Sequence, residues 1–300
     1  MAVLTAQGIS DVAIELLSRS LILPNTVTRI PQGEFRGRNG DTLTVPVPQP
    51  GIAREQETRG AEIDFDDVYE VPVDVTMKHF YHGKLTSDEE MSFDIANFAR
   101  QVTRVQVDAV GVRAEAELGD VMNALTADGE VSPDSSDVLN GINEAREFLD
   151  RNDAPDSGRW LAVSPEFASI LLNNEHLTKV NEAGSAGALR RAIIGELLGF
   201  TVVKSNRLAS GRAVGYHQSG FVFANGVPPA VNGAVDSGVS TQGGIGLRQV
   251  LDYISTRLSH ASILSTYAGS AAVYDWDFDE SGEPESGDVA KRFYTLEIGS

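Results

Sequence analysis

Hydrophobic and polar positions alternate with three different rhythms along this chain. Near the start, Ile9, Val12, Ala13, Leu16 and Leu17 form a stripe at helical spacing, with Ser10 and Asp11 in the polar first turns. They predict one short amphipathic helix, too short to be stable alone, docked on its own domain or on a neighbour. Between Asp41 and Leu85 the rhythm changes to two. Leu43, Val45 and Val47 alternate with Thr42, Thr44 and Pro46, and Ile63 to Val75 alternates again beyond a polar tip, Gly51 to Gly60. This predicts a long two-stranded arm. Pro46, Pro48 and Pro50 make the first strand an edge or free-standing one, since proline cannot donate to a ladder. An isolated hairpin is marginal, so the arm is expected to draw stability from contacts beyond itself. From Ser92 to about Leu125, Ile95, Phe98, Val102, Val105, Ala109, Val112 and Ala116 step by threes and fours. They predict a helix of roughly 45–50 Å. Asp88, Glu89 and Glu90 precede it, favourably placed for the helix dipole. A coiled coil has the same spacing, but Gly111, the alanines and barely three heptads favour one helix laid across a sheet.

Ser135 to Leu172 carries the densest signal. Val138, Leu139, Ile142, Ala145, Phe148 and Leu149 recur behind a Ser135/Ser136 cap, Asn152 to Gly158 turns the chain, and Trp160 to Val163 is a short strand. Ser164 caps a second helix with Pro165 in its first turn. Downstream, Ala188 to Leu198 reads as a helix closed by Gly199. Phe200–Val203, Ala213–Tyr216 and Phe221–Ala224 read as strands, and Gly226 to Gly246 as a loop. Val250 to Ser259 alternates less cleanly, and Ala271–Phe278 and Arg292–Ile298 are strands around an acidic loop. There is no internal repeat. The class is α+β.

Composition narrows the function. Three hundred residues at 41% hydrophobic suffice for one large core or two modest ones. The net charge of −19, from 24 basic and 43 acidic residues, argues against a phosphate-binding stripe, though DNA could still be a repelled cargo. The absence of cysteine removes disulfides, thiol nucleophiles and thiolate metal sites. Met1 to Ser10 lacks the features of a signal peptide, and no run approaches the ~18 apolar residues of a membrane span. A soluble, intracellular protein is expected.

Candidate chemistry is sparse. His79 and His82 lie three apart in a strand reading and point to opposite faces. His176, His217 and His260 stand alone, and Ser219 lacks a nucleophile elbow. Asp275, Asp277 and Asp279 invite a calcium reading, but Glu280 and Ser286 stand where that loop needs glycine and glutamate. Gly243-Gly244-Ile245-Gly246 lacks the ending of a phosphate loop. No catalytic, cofactor-binding or metal-ligating residues are assigned, and no enzyme is expected.

Several segments resemble tailed double-stranded-DNA phage coat proteins with the Hong Kong phage capsid fold. Glu34 to Val45 is similar to the approach to their extended loop, and Lys84-Leu85-Thr86 through Phe93-Asp94-Ile95 to the approach to their spine helix. Gly158-Arg159-Trp160-Leu161-Ala162-Val163-Ser164-Pro165 resembles their axial strand and turn. Gly195 to Asn206 resembles a later G-x-x-x-G-F-x-V-x-x-S segment. The resemblance implies an N-terminal arm (1–40), an extended hairpin loop (41–85), a peripheral domain with a spine helix (86–134 and 247–300) and an axial domain (135–246). It implies a major capsid protein assembling as pentamers and hexamers into an icosahedral shell around the DNA genome of a tailed phage. The shell would be built in the host bacterial cytoplasm and reside in the virion. Partners would be other copies, a portal, a separate scaffolding protein or none, packaged DNA as non-specific cargo and, in some shells, a cement protein; no membrane is involved. Some relatives cross-link through an extended-loop lysine, but Gly51–Gly60 has none, and the length leaves no room for the inserted domain of others. Arg54, Glu55, Glu57 and Arg59 at the tip, mixed in sign, suit ion pairs with a neighbouring subunit. An encapsulin-like compartment shell is the rival of the same fold, and an acid/base hydrolase the rival of another class.

Overall fold

The computed structural model describes residues 5–30, 41–49, 69–91, 98–172, 193–278 and 284–299, with isolated positions between 51 and 65. Helix α1 (Ala6–Ser20) leads to strand β1 (Thr28–Ile30), the ribbon β2 (Thr42–Pro48) and β3 (Glu70–Thr76), and β4 (Lys78–Ser87). Then come α2 (Arg104–Ala124), β5 (Gly129–Val131), α3 (Ser135–Arg151), β6 (Arg159–Val163) and α4 (Pro165–Leu172). The strands β7 (Ile193–Leu197), β8 (Phe200–Lys204), β9 (Arg212–His217), β10 (Phe221–Gly226) and β11 (Asp236–Gln242) follow. The chain closes with β12 (Ile245–Ile254), β13 (Ser259–Ala272), β14 (Asp275–Phe278), β15 (Pro284–Val289) and β16 (Phe293–Ile298).

Two six-stranded sheets organise these elements. In the first the order is β1-β10-β13-β12-β11, with β4 on β13 as well. In the second it is β5-β16-β9-β6-β8-β7. The grouping differs from the expected boundaries: β10 and β11 join the first sheet, while β16 crosses into the second.

The second sheet is the Ser135–Leu172 unit completed. Alternation along its strands sends Leu161, Val163, Phe200, Val202, Ala213 and Leu296 to one face, where Val138, Ile142, Ala145 and Leu149 of α3 and Phe167 and Leu171 of α4 meet them, all buried. The intervening Ala162, Val203, Val214 and Tyr216 point to the other face and join the core under α1 and α2. Asp134, rather than Ser135 or Ser136, takes the cap position of α3. Ser164 caps α4 as expected, its Oγ accepting from Phe167 N at 3.3 Å.

Elsewhere the structure corrects the sequence reading. The core face of α1 is Ile9, Ala13, Ile14 and Leu17, and Val12 is exposed. Thr5 caps the helix, which lies on β11 and β12 of its own chain. A π-helical turn, Ala99–Thr103, precedes α2. Its wider winding rotates the helix that follows. Val107, Val110, Ala114, Leu118 and Met122 face inward, while the expected Val105 and Val112 are 51% and 45% exposed. The expected Ala188–Leu198 helix is, from Ile193 on, the strand β7. Leu198 (φ 49°) and Gly199 (φ 86°) form a two-residue turn into β8 rather than a helix cap. Positions 188–192 lie outside the described residues. A third of the expected Gly226–Gly246 loop is β11, joined to β12 through Gly243 and Gly244, both at positive φ.

The longest strand, β13 with 14 residues, was not anticipated beyond its last two positions. It carries Ser262, Ser265 and Thr266 at buried sites, on both faces of the strand. One edge pairs first with β12 and then with β10. Where those two part, Thr266 Oγ1 accepts from Asn225 Nδ2 (3.0 Å) and donates to Gly246 O (2.7 Å).

Candidate assembly surfaces

The arm is a closed ribbon. Met77 N donates to Asp41 O (2.7 Å) and Gln49 N to Tyr69 O (3.0 Å), which fixes the odd-numbered pairs as the hydrogen-bonded ones. Pro46, Pro48 and Pro72 therefore fall in the even pairs, whose missing N–H would have pointed outward. Pro46 lies opposite Pro72. Leu43, Val45, Val47, Val71, Val73 and Val75 share the odd face, and all but Val71 pack with Met77 on Ile30, Val222 and Ala224 of the first sheet and on Val273 just beyond β13. The cover expected from outside is thus supplied at the arm's base by its own chain.

A support for that base escaped the sequence reading. Tyr69 stacks against Trp276 (6.2 Å) and Phe278 (5.6 Å) of the β14–β15 ribbon. Gln49 donates to Asp275 Oδ1 (3.3 Å) and accepts from Trp276 N (3.2 Å). The alternating Trp276 and Phe278 were the available signal. At the tip, Glu55 and Arg59 are exposed, as is Phe65 at 87%. Arg54 and Glu57 lie outside the described residues.

The two sheets are tied at the end of α2. Arg212 Nη1, on β9, donates to Met122 O (3.2 Å), Asn123 O and Leu125 O (3.1 Å), capping carbonyls that the helix leaves open. Its Nη2 reaches Glu297 at 3.3 Å. Asn123 donates to Arg207 O and accepts from Ala209 N, both at 2.8 Å. Gly119 is required here, because a Cβ would lie 2.6 Å from that of Arg207. The Gly158-Arg159 pair has an equally local purpose. Gly158 sits at φ 78°, and Arg159 donates to Pro155 O (2.9 Å) and Asp150 (2.5 Å), fastening the end of α3 to β6.

α2 meets the first sheet mainly through apolar side chains, Val107, Val110, Ala114 and Leu118 joining Leu247, Leu264 and Ala268 in one core, but beneath its first turns there is a polar seam. Gln106 Nε2 donates to Ser262 O (2.8 Å) and His82 O (3.1 Å), Ser262 Oγ donates to Gln106 Oε1 (3.0 Å), and Gln249 Nε2 donates to Ser262 Oγ (2.8 Å). Glu115 is buried against the backbone at Leu23, whose N donates to it at 3.2 Å; burial raises its pKa despite that bond. Glu117 is held by Lys78 (2.7 Å) and Arg113 (3.0 Å).

The histidines do not converge. His79 packs on Tyr267 at 4.8 Å, its pKa lowered first by burial and then by Arg248. His82 lies on the opposite face of β4. His217 Nδ1 is 2.8 Å from Ser219 Oγ, and burial chiefly lowers its pKa. His260 lies 3.4 Å from Asp88, to which Tyr253 Oη also donates (2.9 Å). His176 lies outside the described residues. Asp275 is gripped by Arg292 Nε (2.8 Å) and Nη2 (2.5 Å), and Asp277 by Lys291 (2.5 Å). The acidic stretch is thus neutralised in part by cations just beyond it; Asp279 lies outside the described residues. Among the described residues no three metal-capable side chains gather, and no helix is long and apolar enough to cross a membrane.

The family model described as "Phage capsid protein" matches residues 86–269. No curated protein sequence matches significantly. Solved structures do. That of Mycobacterium phage Che8 superposes with a TM-score of 0.61 at 18% identity, covering 92% of this chain and 90% of that one. The mature capsid of bacteriophage PhiM1 gives 0.57 at 12%, covering 93% and 87%. The virus-like particle from Pyrococcus furiosus gives 0.54 at 10%, covering 97% and 98%. At these identities the likeness is one of fold.

Proposed function

The chain belongs to the phage capsid protein family, is a major capsid protein forming an icosahedral shell rather than an enzyme, and from that premise we propose how its surfaces are used. Subunits gather as pentamers and hexamers with the second sheet and its helices, the axial unit, toward their centres. The first sheet and α2 lie between them. The arm's tip lies on a neighbouring subunit, where Arg54, Glu55, Glu57 and Arg59 pair with its charges. The observation that carries this is the contrast within the arm: the base is covered by its own chain, while the described residues between 51 and 65, at the tip and just beyond it, are exposed, Phe65 above all. Exposed ion pairs contribute only ~0–1 kcal/mol each, but a shell repeats them in every subunit. A net charge of −19 suits a wall that holds DNA without adhering to it. A portal and a separate scaffolding protein complete assembly in the host cytoplasm, and a cement protein has room to bind outside.

Deleting Gly51 to Gly60 tests the reading. The subunit should stay folded by circular dichroism and fail to form shells by electron microscopy. Normal particles from the deletion would refute the tip's role.

A further inference from the structure

The edge of β4 has the geometry of an unfilled strand position. Asp88 N donates to Leu258 O (3.2 Å) in register with the β4–β13 ladder, so the even residues of β4 are those bonded to β13. His79, Tyr81, Gly83 and Leu85 therefore turn their N–H and C=O groups away from the sheet. Ser87, the next in that series, has its N–H taken by Glu90 at 2.9 Å, as this phase requires. Among the described residues no strand pairs with this edge, and six of the ten residues of β4 are exposed. Proteins ordinarily blunt such an edge with charge, proline, a bulge or a cover. Among the described residues β4 has only the first, in Lys78 and Lys84, and Gly83 leaves space for another backbone.

We propose that, in the shell, this edge receives the segment around Phe65 of a neighbouring copy's arm as an added strand; the inference rests on the arm tip lying on a neighbour. The paired part of the arm cannot serve, because prolines occupy its outward positions. The adjoining Glu62-Ile63-Asp64-Phe65-Asp66 can: it has no proline or glycine and keeps strict alternation. Its charge fits the edge. Residues 62–67 hold four carboxylates and no cation, whereas β4 holds two lysines, two histidines and no acid. The faces match as well. With Phe65 and Ile63 beside Tyr81 (71% exposed) and Leu85, alternation sets Glu62, Asp64 and Asp66 on the side of His82 and Lys84. Opposite charges facing across strands are favourable, and main-chain bonds supply the rest, as in other strand additions.

The chain has no cysteine, so cross-linking is clean. Phe65→Cys is combined in turn with Tyr81→Cys, Gly83→Cys and Leu85→Cys, and assembled particles are oxidised. The expected result is a ladder of covalent oligomers from at least one pair, present in shells and absent from unassembled subunits. Shells that give no ladder with any of the three overturn the proposal. If Phe65→Cys prevents assembly, charge reversal decides. Lys84→Glu should reduce particle yield at least tenfold, and adding Asp64→Lys should restore it; normal yield from Lys84→Glu, or no restoration, overturns it. The Gly51–Gly60 deletion separates the two readings. Normal shells from that deletion, which keeps residues 62–66, remove the role proposed for the Gly51–Gly60 tip and leave β4 to the cross-linking result, whereas failed shells beside a negative cross-linking result leave the tip's role standing and reject β4.

Discussion

The two sheets differ in what lies beneath their helices: both use apolar cores, but among the described residues only the first adds a polar seam. The second sheet buries its helices dry: α3 and α4 meet it through aliphatic and aromatic side chains, Val138, Ile142, Leu149 and Phe167 against Leu161, Val163, Phe200 and Val202. Beneath the first turns of α2 the contact is a polar seam of Gln106, Ser262 and Gln249, with Glu115 and Glu117 buried farther along the same helix. A dry interface is held by close packing and tolerates no lost volume. A polar seam is held by matched donors and acceptors and tolerates no lost partner.

Three substitutions would break or sharpen that contrast. The largest effect belongs to Phe167→Ala, which opens a cavity among fully buried side chains. Denaturant unfolding of the unassembled subunit should show a loss of about 3–5 kcal/mol. A loss below about 1 kcal/mol would mean that the core between the second sheet and its helices is not closely packed. Gln106→Ala should cost less, about 1–3 kcal/mol, by stranding buried polar groups that the amide now joins. In the same assay a neutral result would show that the seam contributes nothing net. Val112→Ser should be smallest, within about 0.5 kcal/mol of the parent, because that residue faces solvent in the subunit. A melting temperature lowered by many degrees would instead place Val112 in the core, as its spacing had suggested.

That last case shows what the sequence could convey. The Ser135–Leu172 segment was legible nearly residue by residue, because its buried positions are its apolar ones and its punctuation is local: Ser164 and Pro165 start a helix, Gly158 turns the chain. The first sheet hides itself. Its central strand β13 buries serine and threonine, so the period of two is muted. In α2 the π-helical turn puts Val105 and Val112 outside and Glu115 inside, against the apparent stripe. Gly199 shows a third limit, since glycine ends a helix or turns a hairpin equally well, and only the pairing of Leu197 with Phe200 decides. Of the tip residues singled out, the exposure of Glu55 and Arg59 follows from a polar run. The open edge of β4 did not follow, because an edge is defined by the strand that is missing beside it.

Arg212 carries a consequence for mechanics. One guanidinium is shared between β9 and three carbonyls at the end of α2, so turning either half of the subunit against the other must stretch several charge-assisted bonds together. An icosahedral shell asks identical chains to meet at more than one angle wherever five-fold and six-fold rings coexist. A joint this stiff is a poor place to absorb the difference, so the angular compliance of the lattice has to come from where subunits touch rather than from within the subunit.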